Sequence, residues 1–305
     1  MKAVVCTAFG KPVELIERPD PIAGPGQVVV EVEAAGVNYV DGLMVGGTYQ
    51  LKPQLPFTPG YEVAGRLADG SRVLAITGLG GYATHVVISE EQAVPLPEGL
   101  DPRTAAVFAQ SYCTAMYALR ERAGLRHGER VLVLGAGGGV GLAAIQVARA
   151  LGAAVLAAAS TPDKRERAAL AGADEVIGYE GLKGTARRWG VDVVVDPVGG
   201  ELSEEALRSL REGGRLLVVG FAGGGIPRLP ANQVLLRNRA VVGVDWGAWS
   251  LSHAAANRLM LQELLTMPGI DPAPPEARPL EEAGRAMDDL INRRVTGKIA
   301  LVPAS

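Results

Sequence analysis

Apolar positions along the chain change rhythm twice. Over the first hundred residues they come in short runs, at 28–33, 61–67, 72–76 and 85–89, bounded by glycine and proline. The run 28–33 alternates apolar with polar, the period of a strand with one buried face. Residues 1–110 therefore read as a small, mostly β barrel with long loops. From Arg103 the chain turns rich in alanine and leucine, and 104–123 reads as helix interrupted near Gln110 and Ser111. Strand-length apolar runs then follow at 131–134, 153–159, 172–177, 191–195, 215–220 and 240–244, with helical patterns between them. Such alternation predicts a doubly wound parallel sheet with right-handed connections. Beyond it lie helical stretches at 253–266 and 280–293, a proline-rich surface loop at 269–279, and a strand at 297–302 expected to return to the first domain. The predicted fold is two-domain α/β, with residues 1–111 and 247–305 forming one domain and 112–246 the other.

The most informative stretch is VLVLGAGGGVGLAA, residues 131–144. An apolar strand runs straight into a glycine-rich turn and then into a helix. Ala136, Gly138 and Gly141 stand at the spacing of the dinucleotide-binding fingerprint, with alanine for the first glycine. Gly138 lets backbone N–H groups approach a pyrophosphate, and Gly141 lets the helix pack close to the strand, whose helix N-terminus favours the phosphates. In a chain of 40 glycines the triplet alone also fits a corner without a ligand; its strand–turn–helix context selects the nucleotide.

A site for NADH places a carboxylate at the end of the second strand, on the ribose 2′-hydroxyl. Here that strand ends Ala157-Ala158-Ala159-Ser160, and Thr161-Pro162-Asp163-Lys164-Arg165 follows. Thr161 and Pro162 suit the cap and first position of a helix. Lys164 and Arg165 oppose the dipole of a first turn, a cost that a 2′-phosphate offsets, with Ser160 as hydroxyl donor. NADPH is the expected cofactor. Solvated surface charges, or Asp163 on a ribose, are the alternatives.

Composition changes this picture little. A net charge of −3 without a basic block argues against nucleic acid, and no apolar run is long enough to span a membrane. Two cysteines, Cys6 and Cys113, are too few for a disulfide framework, so a reducing cytoplasm is expected. The three histidines, His85, His127 and His253, show no ligand-like spacing.

Several stretches together resemble the zinc-independent, zeta-crystallin-like quinone oxidoreductases of the medium-chain dehydrogenase/reductase superfamily. They are AAGVNYVDGLMVGGTY (34–49), LPFTPGYEVAG (55–65), the glycine stretch, VDVVVDPVGG (191–200), NRAVVGVDWG (238–247) and TGKIALV (296–302). The resemblance spans the chain and implies a GroES-like β-barrel substrate domain beside a Rossmann domain, with NADPH as cofactor and a homodimer formed along the strand at 240–244. Zinc-dependent relatives carry ligands where this chain has Asn38, Tyr61 and, near the third, Gln110, and nothing here matches their structural-zinc cysteines. No metal is expected. The resemblance also implies that Thr114, Gly220 and Phe221 border the nicotinamide. Gly138, Gly139 and Val140 form the pyrophosphate turn, Tyr179 lies near the adenosine phosphate, and Trp246 walls the cleft. Each of these also reads as a packing or strand-end residue.

Without a metal, oxidising an alcohol lacks its usual alkoxide stabiliser. Reducing a quinone or enone asks less, because hydride adds to an electrophilic system and positioning supplies much of the acceleration. Asn38 has an amide suited to an acceptor carbonyl, although Asn38 and Asp41 equally suit a helix cap and its acidic third residue. Tyr49 is placed near the substrate by the resemblance and otherwise reads as a packing aromatic. Asp196 reads as shaping the turn that follows it rather than as a base. The expected function is NADPH-dependent quinone reduction. Enone or enoyl-thioester C=C reduction, and a non-catalytic NADPH-binding role, are the alternatives.

Overall fold

The computed structural model describes residues 1–304. The chain divides into two compact units. One holds Met1–Gln110, Ala254–Leu265 and the residues from Pro272 onward; the other holds Ser111–His253 and Thr266–Asp271.

In the first unit, β1 (Lys2–Val5) and β2 (Glu14–Glu17) form an antiparallel pair. The long strand β3 (Gln27–Val37) is followed by α1 (Tyr39–Val45), β4 (Glu62–Arg66), β5 (Arg72–Ile76), β6 (His85–Ser89), β7 (Val94–Pro95) and the short helix α2 (Pro102–Ala105). Strand β3 extends past the alternating run to Val37 because Ala34, Ala35, Gly36 and Val37 are all buried. Burial on both faces removes the two-residue period that marks a half-exposed strand. Val30, Val32, Val63, Val73, Val86 and Ile88 fill the core against Tyr82, which is fully buried.

The interruption expected near Gln110 falls earlier, at 106–108, between α2 and α3 (Ala109–Met116). Asp101 starts α2 by accepting the Arg103 N–H at 2.7 Å, with Pro102 at the first position. Glu62 accepts the Gln110 N–H at 2.8 Å, so a buried carboxylate takes one of the open donors in the first turn of α3. A π-helical turn, Tyr117–Arg122, continues the segment.

The second unit is the predicted doubly wound sheet. Its elements are β8 (Arg130–Leu134), α4 (Gly139–Ala150), β9 (Ala154–Ala158), α5 (Pro162–Leu170), β10 (Glu175–Ile177) and α6 (Leu182–Trp189). They continue with β11 (Val193–Asp196), α7 (Glu201–Ser209), β12 (Arg215–Val218), α8 (Ala231–Leu235), β13 (Ala240–Gly243) and α9 (Trp246–Ser252). All six strands pair in parallel in the order β10-β9-β8-β11-β12-β13. The order reverses between β8 and β11, and the carboxyl ends of strands at such a reversal form a ligand crevice. Leu132, Leu156, Val194, Leu207 and Leu216 build the buried core.

Helix α9 has no counterpart in the sequence reading, which divides the domains at 246/247. The Tyr117 and Trp249 rings stack at 4.8 Å, and this aromatic contact ties α9 to the π-helical turn of the second unit. Residue Asp271 is likewise tied to the second unit, its backbone N–H donating to the Gln146 side chain at 3.0 Å and its carbonyl accepting from it at 2.7 Å.

The chain then forms α10 (Ala254–Thr266), β14 (Glu276–Pro279), α11 (Ala283–Ile291) and β15 (Ile299–Val302). Strand β15 joins the sheet of the first unit beside β3, as the closing strand was expected to do. The expected loop 269–279 is corrected in its second half: β14 pairs in parallel with β15. It is an edge strand, where Pro279 deprives no neighbour of a donor. Among the described residues no helix is long and apolar enough to cross a membrane.

Candidate active site

The glycine turn of the second unit has the geometry its residue types demand. Ala136, fully buried, donates its N–H to Ala158 O at 3.1 Å, which ties the turn to the end of β9. Gly135 takes a positive φ of 60°, and Gly138 caps α4 in extended backbone, so Gly139, Val140 and Gly141 form its first turn. A Cβ on Gly141 would stand 2.3 Å from Gly135 O and 2.8 Å from Ala136 Cα. Only glycine permits this approach of helix to strand, and it leaves the first N–H groups of a twelve-residue helix directed at the turn.

Lys164 joins this turn from α5. A Cβ on Gly137 would lie 2.5 Å from Lys164 Cβ, so the lysine stem runs directly over the glycines. Thr161 caps α5, accepting the Lys164 N–H at 3.3 Å, with Pro162 at the first position as expected. Arg165 points elsewhere, its Nη1 donating to Ala159 O at 3.3 Å and to Ser160 O at 3.5 Å. The two cations of this turn thus separate: Arg165 ties down the end of β9, and Lys164 faces the glycines. Ser160 is exposed just beyond β9, and Tyr179 is half-buried just beyond β10.

At the other side of the reversal, Asp196 ends β11. Its carboxylate accepts the Val198 and Gly199 N–H groups, each at 2.9 Å, and the Ser203 hydroxyl. This is the turn-shaping role expected of it. Strand β12 stops at Val218, so Gly220 and Phe221 lie in the following loop rather than at the end of a longer strand. The Gly220 N–H donates to Asp196 O at 3.3 Å, and Phe221 is half-buried, with a Cβ on Gly199 falling 3.0 Å from its ring. Thr114 on α3 and Trp246 at the start of α9 are buried.

In the first unit Asn38 is the cap residue of α1, and Asp41 closes the cap by accepting the Asn38 N–H at 2.8 Å. The Asn38 side chain, 2% exposed, also enters a polar cluster that local sequence does not reveal. Its Nδ2 donates to Glu62 Oε1 at 3.1 Å, and its Oδ1 accepts from Lys298 Nζ. Lys298 Nζ stands 3.5 Å from Glu62 Oε1. Tyr82 OH donates to Asp41 Oδ2 at 2.8 Å, while Asp41 Oδ1 has no partner among the described residues. Tyr49 is half-buried against the Cys6, Met44 and Phe57 cluster, the packing position foreseen as its alternative.

Burial decides the electrostatics here. Desolvation raises the Asp41 carboxyl to about 6, although the Asn38 N–H, Tyr82 and the Lys298 charge oppose it. Desolvation also raises Glu62, with Lys298 the largest opposing influence, and pushes the Tyr82 phenol well above its ordinary range.

Lys298 and Glu62 are the residues that sequence reasoning missed. Both lie in stretches that carry the resemblance, but 260 positions separate Lys298 from Asn38, and only strand register brings them together. Ile299 pairs with Val37, and the same antiparallel register carries Lys298 opposite Asn38. Glu62 folds over Gly36, where a Cβ would meet its Oε1 at 2.8 Å and Ala106 O at 2.1 Å.

Two family models match the chain: an alcohol dehydrogenase GroES-like domain over residues 24–98 and a zinc-binding dehydrogenase over 139–263. Quinone oxidoreductase-like protein 2 from Bos taurus is 36% identical over 98% of this chain and 92% of its own length. The quinone oxidoreductase of Homo sapiens is 32% identical over 99% and 98%. The quinone oxidoreductase from Thermus thermophilus, solved by crystallography and also in complex with NADPH, superposes with a TM-score of 0.89. It is 38% identical over 99% of this chain and all of that one. Zinc, which the second family description implies, does not fit the residues present. Asn38 offers an amide, Glu62 is occupied by Asn38, Lys298 and Gln110, and an ammonium already sits in the cluster. Among the described residues no group of three His, Cys, Asp or Glu side chains could hold a metal ion.

The Asp41 shift has a testable sign. A carboxyl raised from 3.8 to about 6 by folding binds more protons in the folded state, so stability falls as pH rises across that window. Replacing Asp41 with Asn should remove roughly 3 kcal/mol of that decline. Hydrogen exchange in Gln27–Val37, corrected for intrinsic rates and followed from pH 4 to 7, measures the difference; parallel curves for the two proteins would refute it.

Proposed function

The chain belongs to the quinone oxidoreductases of the medium-chain dehydrogenase/reductase superfamily, and we propose that it reduces quinones with NADPH by direct hydride transfer, without metal or flavin. The observation that carries this reading is the glycine turn of α4 with Lys164 lying over it at the carboxyl ends of the parallel strands. When bound, NADPH supplies a hydride from C4 of its nicotinamide. The N–H groups at the start of α4 hold the pyrophosphate, while Lys164 and Ser160 hold the 2′-phosphate and Tyr179 lies beside the adenosine phosphate. Thr114, Gly220, Phe221 and Trp246 border the nicotinamide.

The parallel-sheet unit, close to residues 112–246, takes the cofactor, and the unit built on β3 takes the acceptor. Asn38 would donate an amide N–H to the acceptor carbonyl oxygen, where negative charge develops on reduction until a proton from water completes the hydroquinone. Directed donors in a site poor in water stabilise such charge effectively. Tyr49 contributes an aromatic wall. The reaction needs no alkoxide, which suits a cluster whose donors are an amide and an ammonium rather than metal ligands. Cys6 and Cys113 are both buried and form no disulfide, which suits a reducing cytoplasm.

The chain forms a homodimer in this reading. Strand β13 is a sheet edge with Val241 41% exposed, and Leu235 and Leu236 stand largely exposed before it. An apolar edge of this kind favours pairing with a second copy.

Stopped-flow oxidation of bound NADPH against quinones and enones tests the chemistry. Fast decay with quinones alone is expected; fast decay with enones alone would replace the acceptor class, and no decay with any acceptor would favour a non-catalytic role. Lys164→Ala should weaken NADPH at least tenfold, about 1.4 kcal/mol, while leaving NADH nearly unchanged; equal losses would remove the phosphate assignment. Sedimentation at micromolar concentration should give twice the chain mass, and a monomer would rule out the dimer.

A further inference from the structure

The orientation of the Asn38 amide is fixed by the chemistry of its partners. An ammonium only donates, so Lys298 must face Oδ1; a carboxylate only accepts, so Glu62 must face Nδ2. Reversing the amide would set an N–H against an ammonium and a carbonyl oxygen against a carboxylate, both within the buried cluster. One N–H of Nδ2 is left over once Glu62 has taken the other. A donor on Oδ1 also polarises the amide so that its N–H groups donate more strongly.

The backbone builds this arrangement from two sides. Strand register sets Lys298 opposite Asn38, just past the end of β3, and glycine at 36 opens the space that the Glu62 carboxylate fills. The second Glu62 oxygen is spent on the Gln110 N–H, so Glu62 cannot swing away without uncapping the first turn of α3. Lys298 is 12% exposed and Glu62 fully buried, and their ion pair is therefore weakly screened.

We propose that Lys298 and Glu62 are positioning residues for acceptor reduction: together they lock the Asn38 amide so that it presents an N–H, never its carbonyl oxygen, to the acceptor. The proposal rests on the reading of Asn38 as the donor to the acceptor carbonyl. Lys298 acts through Asn38 and makes no separate contribution to turnover.

A double-mutant cycle separates these claims. Asn38→Ala, Lys298→Met, Lys298→Arg and the double variant Asn38→Ala/Lys298→Met are compared for kcat with a quinone, for NADPH Kd and for thermal unfolding. Lys298→Met should lower kcat about tenfold or more with NADPH Kd unchanged, and Lys298→Arg, which keeps a charged donor, should recover most of that loss. In the Asn38→Ala background Lys298→Met should cost nothing further. Multiplied losses in the double variant, or wild-type kcat in Lys298→Met, would overturn the inference while a slow Asn38→Ala leaves the donor reading intact. Wild-type kcat in Asn38→Ala would overturn both. Should Lys298→Met fail to fold, Glu62→Gln makes the same comparison, because glutamine both donates and accepts and so frees the amide to turn. Its loss too should vanish in the Asn38→Ala background, and its persistence there would overturn the inference.

Discussion

A fully buried carboxylate constrains the first unit. Glu62 has no solvent exposure, and an ionised group in such a place is tolerated only when its hydrogen-bonding capacity is met and a counter-charge is near. The chain meets this from three separate stretches. Asn38 comes from the end of β3, the Gln110 N–H from the start of α3, and Lys298 from the approach to β15. Removing any one partner leaves charge or a donor stranded in the interior, so these segments are held in mutual register by electrostatics as well as by sheet pairing.

The same requirement shapes the local chemistry. The amide of Asn38 is oriented by its neighbours, and the neighbouring Asp41 is shifted upward because its carboxylate is buried with one oxygen unpartnered. The cluster sets an amide and an ammonium against a buried carboxylate. Charge compensation is thus provided by a lysine, 3.5 Å from the carboxylate.

The second unit is governed by a steric constraint instead. Gly141 lets α4 approach β8 more closely than any side chain would permit, and Gly137 accepts the stem of Lys164. Backbone donors and one lysine converge on a small turn, while Asp196 and Ser203 brace the loop across the strand reversal. Arg165, adjacent to Lys164 in sequence, is consumed by strand-end carbonyls. Two neighbouring cations with the same apparent promise therefore have different roles, which their spacing could not separate.

Local pattern by itself determined the parallel sheet, the glycine turn, the Thr161 and Asn38 caps and the turn-shaping role of Asp196. Each depends on residues within a few positions of one another, so period, spacing and cap chemistry specify it. The closing apolar run, expected to return to the first unit, pairs there with β3. Strand β14 was hidden because its pairing partner lies some twenty residues on and its proline reads locally as loop. The full length of β3 was hidden because two-sided burial erases alternation, and the start of α3 because its cap is a distant carboxylate. Only the tertiary structure decided that Lys298 and Glu62 meet at Asn38. Pairing of β15 with β3 and of β4 with β3 is non-local, and a one-residue slip of either would turn these side chains to the opposite face.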